Sequence, residues 1–355
     1  MTTVRFAFAV GLLSVSLAAL THISAAQFQG GRGQDPRSSQ PGGQAAGAST
    51  SSTEPPPLET SMVLLTVSVT ASDNKSLPFL PRDRFQVFED GVEQKIAYFW
   101  MDSRPISVGL LVDDSAWMTT HQKLDSLRDA LPTFLKSKNP EDEYFVIQFS
   151  TFPMMTVSYT TDAKLAPTLF RALDDADMPT PDTALNDAIY TGLEAIKEAA
   201  NARKALLVIT AGGDKGCDGS KQTMKIEQLL SFAMKQPVQI YSMMIADDWG
   251  TANGGVPCDQ IATDENNLDL LAGNTGGHAY LAPNSQGGVD AIATEIARAL
   301  KTQFLIGYQP TNAATDGKRR SVKVKVNPPD GSPKLKVWTK SGYYAPKEKS
   351  PKPSN

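Results

Sequence analysis

At 355 residues, with 41% hydrophobic and 20% charged residues, the chain has the composition of a globular protein with room for one large domain or two moderate ones. Its net charge of −4 gives no electrostatic reason to expect nucleic acid or an anionic membrane as partner. Cations are spread along the chain, apart from Lys318-Arg-Arg320 and a weakly basic tail after Tyr344.

The first element reads as an export signal. Arg5 precedes a 15-residue apolar stretch, Phe6 to Leu20, and the small residues Ser24-Ala25-Ala26 follow. A charged start, a short apolar middle and a small-residue end make residues 1–26 a secretory signal peptide cleaved after Ala26. The alternative is an uncleaved anchor, for which the stretch is short. No second apolar run reaches spanning length, so the expectation is an exported protein, periplasmic or extracellular, without a membrane span after cleavage. Residues 27–58 are mostly Gln, Gly, Ser, Pro and Ala. A segment so poor in bulky apolar side chains cannot offset its ordering entropy, and a disordered linker is expected.

Residues 60–102 change character. Met62–Thr70, Phe85–Phe88 and Ile96–Trp100 are strand-like, with the turn Glu89-Asp90-Gly91 between the last two. From Ile106 strands alternate with helices, the pattern of a parallel sheet covered on both faces. The strand candidates are 106–112, 143–149, 204–210, 238–245 and, more weakly, 278–281. Helical stretches fall at roughly 119–137, 162–174, 184–200, 223–236, 264–273 and 286–301. In 184–200, Leu185, Ala188, Ile189, Leu193 and Ile196 mark one apolar face. After 302 the chain returns to period-two alternation. Phe304–Tyr308 is expected to complete the α/β sheet or to bridge out of it. Ser321–Val326 and Lys334–Trp338 are expected to form a hairpin around Pro328-Pro-Asp-Gly331. Two short β pieces cannot each make a core. The fold class is therefore α/β, a doubly wound, mainly parallel sheet over 103–308, flanked by a small antiparallel, β-sandwich-like unit built from 59–102 and 309–346, with a polar tail at 347–355.

The site candidates gather where the run Ile106-Ser-Val-Gly-Leu-Leu-Val-Asp113-Asp114-Ser115-Ala116-Trp117 stops being apolar. Open α/β sheets place ligands at the carboxyl ends of their strands. An acid and a hydroxyl two residues apart are hard oxygen donors suited to Mg²⁺. Here the chain resembles the von Willebrand factor type A (VWA) family, whose metal-ion-dependent adhesion site opens with Asp-x-Ser-x-Ser. The resemblance runs from about 104 to 302 and takes in Thr183-Ala-Leu-Asn-Asp187 and Lys204–Gly213. Phe-x-Val-x-Glu-Asp-Gly before the domain, and Gly-Tyr-x-Pro-Thr and Gly-Tyr-Tyr-Ala-Pro after it, resemble exported bacterial VWA-related proteins.

The family's ligand set carries over in part. Asp113, Ser115 and Thr183 match, while Trp117 stands in place of the second serine and Ala211 in place of an aspartate. An indole removes an oxygen and fills the space of the ion's waters, and the lost carboxylate removes a charge. A site with no cofactor is therefore expected, with Asp113 and Ser115 kept as a hydrogen-bonded turn. Weak Mg²⁺ binding is the alternative, with Asp114, Asp182 or Asp214 as substitute donors. The resemblance implies a protein ligand, or an envelope or extracellular component, held by the top-face loops. Asp114, Trp117, Asp214 and Trp249 are the candidate contacts, and Met118, Met154 and Met155 add adaptable apolar surface. The other reading has these rings packed down as local cores. Cys217 and Cys258, an even pair in an oxidising compartment, suggest a disulfide, the alternative being two free thiols. Catalysis is not expected. Only His121 and His278 follow the signal, there is no Gly-x-Ser-x-Gly elbow and no phosphate loop. A hydrolase or phosphoryl-transfer enzyme built on the Asp113 cluster is the alternative from a different class.

Overall fold

A computed structural model of the chain describes residues 62–71, 75–77, 79–119, 122–136, 139–162, 183–212, 224–246, 258–285, 287–329 and 334–347. The signal peptide, the linker, the expected helix at 162–174 (all but its first residue), His121, Asp182, Asp214, Cys217 and Trp249 lie outside the described residues.

The N-terminal strands are β1 (Val63–Thr70), β2 (Phe85–Glu89), β3 (Val92–Gln94) and β4 (Ile96–Asp102). The α/β part follows with β5 (Ile106–Asp113), α1 (Ala116–Thr119), α2 (Lys123–Lys136), β6 (Glu143–Phe149), β7 (Pro153–Thr160), α3 (Leu185–Ala195) and β8 (Arg203–Thr210). It continues through α4 (Ile226–Ala233), β9 (Gln239–Ala246), α5 (Cys258–Thr275), β10 (Ala279–Pro283) and α6 (Gly288–Lys301). The closing strands are β11 (Gln303–Tyr308), β12 (Arg319–Val326), β13 (Lys336–Trp338) and β14 (Gly342–Tyr344).

The six-stranded sheet runs β10-β9-β8-β5-β6-β7, parallel throughout except for the β6–β7 edge pair. β5 is central and buried at every position, as its unbroken apolar run requires when helices cover both faces. On one face Val108, Leu110 and Val112 meet α2 and α6; on the other Leu111, Phe145 and Val208 meet α3, α4 and α5. This is the expected doubly wound α/β fold.

The flanking unit is a sandwich of two four-stranded sheets, β13-β1-β11-β4 and β14-β12-β2-β3. Its shared core includes Leu65, Val67, Phe85, Val87, Ile306 and Val324, with Phe85, Phe99 and Phe304 in mutual ring contact. Asp90 and Gly91, both at positive φ (47° and 84°), turn β2 into β3, the conformation a two-residue hairpin loop demands.

Three expectations change. Gln303–Tyr308 pairs with β1 and β4, so it is an interior sandwich strand and not the last strand of the α/β domain. No hairpin joins Ser321–Val326 to Lys334–Trp338: β12 pairs with β2 and β14, and β13 pairs with β1 in the opposite sheet. The β12 pattern, exposed and buried in turn, gives it one core face to share with its sheet neighbours, and β13 belongs to the opposite sheet. β7 escaped the sequence reading because none of its residues is buried, so its alternation carries no apolar signal.

The last strands also bind the sandwich to the base of the α/β sheet. Ser341 N–H donates to the Asn274 carbonyl, and His278 stacks on Trp338 with ring centroids 3.8 Å apart and planes 19° apart. Burial, reinforced by the nearby Lys336 charge, lowers the His278 pKa to about 4 from 6.5. The unfolded chain therefore takes up the proton first: this contribution is complete above pH 6.5 and is lost as pH falls through about 4. The interval is worth roughly 3 kcal/mol. His278→Phe should keep the stack and remove this acid sensitivity, read as urea unfolding at pH 7 and pH 5. A variant whose stability changes from pH 7 to pH 5 just as the wild type's does would show that His278 does not carry the effect.

Candidate functional site

The carboxyl ends of β5, β6 and β8 meet around Asp113. The register that pairs Val112 with Ile209 carries Thr210 to a position beside Asp113. The carboxylate is fully buried and both oxygens are engaged. Oδ1 accepts from the Ser115 N–H at 2.9 Å, and Oδ2 accepts from the Thr210 hydroxyl at 2.6 Å and from the Ala211 N–H at 3.3 Å. The Gly212 N–H donates in turn to Thr210 Oγ1 at 3.0 Å. Burial pushes the Asp113 pKa up to about 6, against the opposing pull of Ser115, Thr210 and Ala211.

The neighbouring loops are tied to this turn through backbone bonds. Asp114 N–H donates to the Phe149 carbonyl at 3.0 Å, and Ala184 N–H to the Ser150 carbonyl at 2.6 Å. That chain of contacts brings Thr183, at the entrance to α3, to the same end of the sheet. Ser115 Oγ, Thr183 Oγ1 and Asp114 Oδ1 are buried with no hydrogen-bond partner of acceptable geometry among the described residues. The Ser115 hydroxyl still acts on the Asp113 carboxylate as a near neighbour. Burial also raises the Asp114 pKa, with Ser150 opposing.

Such a donor set is a poor fit for a tightly held dication. Asp113 is its central carboxylate, and both Asp113 oxygens are occupied by protein donors. The Ala211 N–H takes up one of them, at the position where the family has a second acid. The described residues contain no group of three His, Cys, Asp or Glu able to hold a metal. What the turn does with certainty is satisfy loop backbone groups.

The apolar candidates sort differently from expectation. Met118 is completely buried, a correction to its reading as adaptable surface. The α1 turn points it inward, and Trp117 beside it is half-buried against the same core. Met154 and Met155 do stand out, 56% and 41% exposed. Phe152, 68% exposed in the β6–β7 turn two residues beyond Ser150, was missed by sequence reasoning, as was the Thr210 bond to Asp113. Only the strand pairing identifies Thr210, and only its place in a turn between Thr151 and Pro153 hints at Phe152. Cys258 opens α5, its side chain undescribed, and its pairing with Cys217 lies outside the described residues. His278 sits at the opposite end of the sheet, ahead of β10, so among the described residues no histidine joins the Asp113 cluster.

A covered doubly wound sheet and a strand-end turn built on Asp-x-Ser define a Rossmann-like α/β fold. Residues 108–214 of the α/β layer match the family model described as von Willebrand factor type A domain. Among solved structures, the chain is similar to the SpRpn10 VWA domain at 16% identity, covering 53% of this chain and 94% of that one, with a TM-score of 0.39. It is also similar to the conserved hypothetical protein BatB from Bacteroides thetaiotaomicron at 18% identity, covering 55% and 99%, with a TM-score of 0.40. The PilB minor pilin from Streptococcus sanguinis is similar at 11% identity, covering 57% and 62%, with a TM-score of 0.42. No curated protein matches the sequence.

Proposed function

We propose that the chain is an exported, non-enzymatic binding module whose VWA domain presents its top-face loops to a protein ligand without a metal. The observation that carries this reading is a contrast at one end of the sheet. The Asp113 carboxylate is spent on Ser115, Thr210 and Ala211, while Phe152, in the β6–β7 turn, and Met154, at the start of β7, stand in solvent. Exposed large apolar side chains rimmed by polar loops are the usual anchors of an interface. Asp114 supplies a polar contact beside them, and Trp117 stays half-buried against the core.

The immobilised chain should retain the same envelope or extracellular partners in EDTA as in Mg²⁺, and Phe152→Ser with Met154→Ser should lose them. Each anchor is expected to be worth about 1–2 kcal/mol of binding, about tenfold or somewhat more in affinity. Capture that requires Mg²⁺ and disappears in Ser115→Ala would replace this reading with the second one. That second reading, weak Mg²⁺-assisted adhesion through Asp113, Ser115 and Thr183, draws its support from the two hydroxyls left without partners. Mg²⁺ keeps most of its waters and could settle for few protein oxygens.

A further inference from the structure

At the other end of the α/β sheet the amino ends of β8 and β9 face the β1–β11 layer of the sandwich across a cleft of about 240 Å³. Its lining holds Arg104, Arg203, Lys204 and Lys340, and no Asp or Glu. One carboxylate stands behind the wall. Asp102 is fully buried and accepts both arms of the Arg104 guanidinium, at 2.9 and 2.7 Å, with Arg203 Nε 3.5 Å away. Burial works against its charge, yet the two arginines hold its pKa below the usual value. Four cations against one acid leave the cleft strongly positive.

Two of the four are committed elsewhere. Arg203 donates to the Arg104 and Leu300 carbonyls and to Gln303, and Lys204 donates to the carbonyls of Ile196, Lys197 and Ala199. The amides behind them are satisfied too: Gln303 donates to Gln239 and Tyr241, and Gln239 to the Gly276 carbonyl. These bonds make a fixed wall. Arg104 bonds Asp102 through Nε and Nη2, which leaves the Nη1 edge outside that pair, with the side chain 35% exposed. Lys340 has no ion pair or side-chain hydrogen bond among the described residues, and the ring of Tyr343, 5.9 Å away, is its nearest aromatic face. An ammonium that is half-buried and unneutralised is unfavourable unless something anionic completes it. Its pKa is lowered by that burial.

We propose that this cleft is an anion site, in which Lys340 and the free edge of Arg104 take a carboxylate or phosphate group of a small ligand. Guanidinium and ammonium donors together suit both oxyanions, and charge-assisted bonds in a partly desolvated cleft are the strong ones. The cleft lies at the opposite end of the sheet from the proposed protein-binding face, so occupancy there is independent of that function.

Calorimetric titration of the full chain at low salt, with inorganic phosphate in one arm and succinate in the other, tests it. One-to-one binding of at least one probe is expected, weakened about tenfold in Lys340→Met, and the arm that binds identifies the oxyanion. Binding of neither probe, or equal binding by Lys340→Met, overturns it. Should the variant fail to fold, amide chemical shifts of the wild type decide. Shifts confined to Asn274–Gly276 and Lys340–Gly342 support the site, and shifts elsewhere overturn it.

Discussion

Replacing Asp113 by alanine lowers the free energy of unfolding by about 3 kcal/mol at neutral pH, by the same amount with and without millimolar Mg²⁺. Three buried donors, on Ser115, Thr210 and Ala211, lose their acceptor. Each costs about 2 kcal/mol when left unpaired. Against that stands roughly 3 kcal/mol recovered, because the carboxylate no longer ionises where its pKa is about 6 instead of 3.8. The same shift fixes a pH signature. A raised folded pKa gives stability that is complete below pH 3.8 and lost as pH rises through about 6. His278 runs the other way over nearly the same interval, so the two offset each other in the wild type. Asp113→Asn, which keeps the shape and the Ser115 acceptor, should expose the His278 trend as a clear loss of stability between pH 6.5 and 4. Urea unfolding across pH 4–7.5, with and without Mg²⁺, reads all of this. A penalty for Asp113→Ala that appears only when Mg²⁺ is present would mean that Asp113 serves as an ion ligand and not as the acceptor of the turn.

That dual role explains why the site was only half legible in the sequence. The run Val108–Val112 in β5 and the acid that ends it stand out because a strand covered on both faces is apolar along most of its length. Two of the three donors on Asp113, those of Thr210 and Ala211, come from the end of β8 and the residue after it, and a strand neighbour is set by sheet order, which no local pattern encodes. The same limit hid the place of Gln303–Tyr308. All six of its residues are buried, so it reads equally well as a strand of either layer, and only its pairing with β1 and β4 decides. β12 and β13 look like a hairpin because their alternation is continuous across a Pro-Pro-Asp-Gly segment. Yet a sandwich is closed by strands that cross between sheets as well as by tight turns. Trp117 sits next to a predicted binding loop, but an indole that close to a core packs on it, and the aromatic side chain exposed beside the Asp113 turn is Phe152 instead.

The flanking motifs show the opposite case, in which residues far apart in the sequence share one physical task. Glu89, of Phe-x-Val-x-Glu-Asp-Gly, is 2% exposed in the sandwich. Its Oε2 accepts from the Tyr308 hydroxyl at 2.7 Å and from the Tyr343 hydroxyl at 2.8 Å, one from each of the two C-terminal Gly-Tyr motifs. The adjacent Asp90 accepts from both the N–H and the hydroxyl of Ser321 on β12. The three motifs thus hold β2, β11, β12 and β14 to one another around a single buried acid. Glu89→Ala is expected to cost about 4 kcal/mol, since it leaves two phenols unpaired and a cavity behind them. Glu89→Gln, whose amide oxygen can still accept from both tyrosines, should cost about 1 kcal/mol. Tyr308→Phe and Tyr343→Phe remove one donor each and should cost about 1 kcal/mol apiece, and either should reduce the further loss caused by Glu89→Ala, because the sites share a partner. Urea unfolding of the single and double variants measures the coupling. Strict additivity would mean that the acid and the tyrosines act separately, and that the sequence motifs are retained for some task other than closing the sandwich.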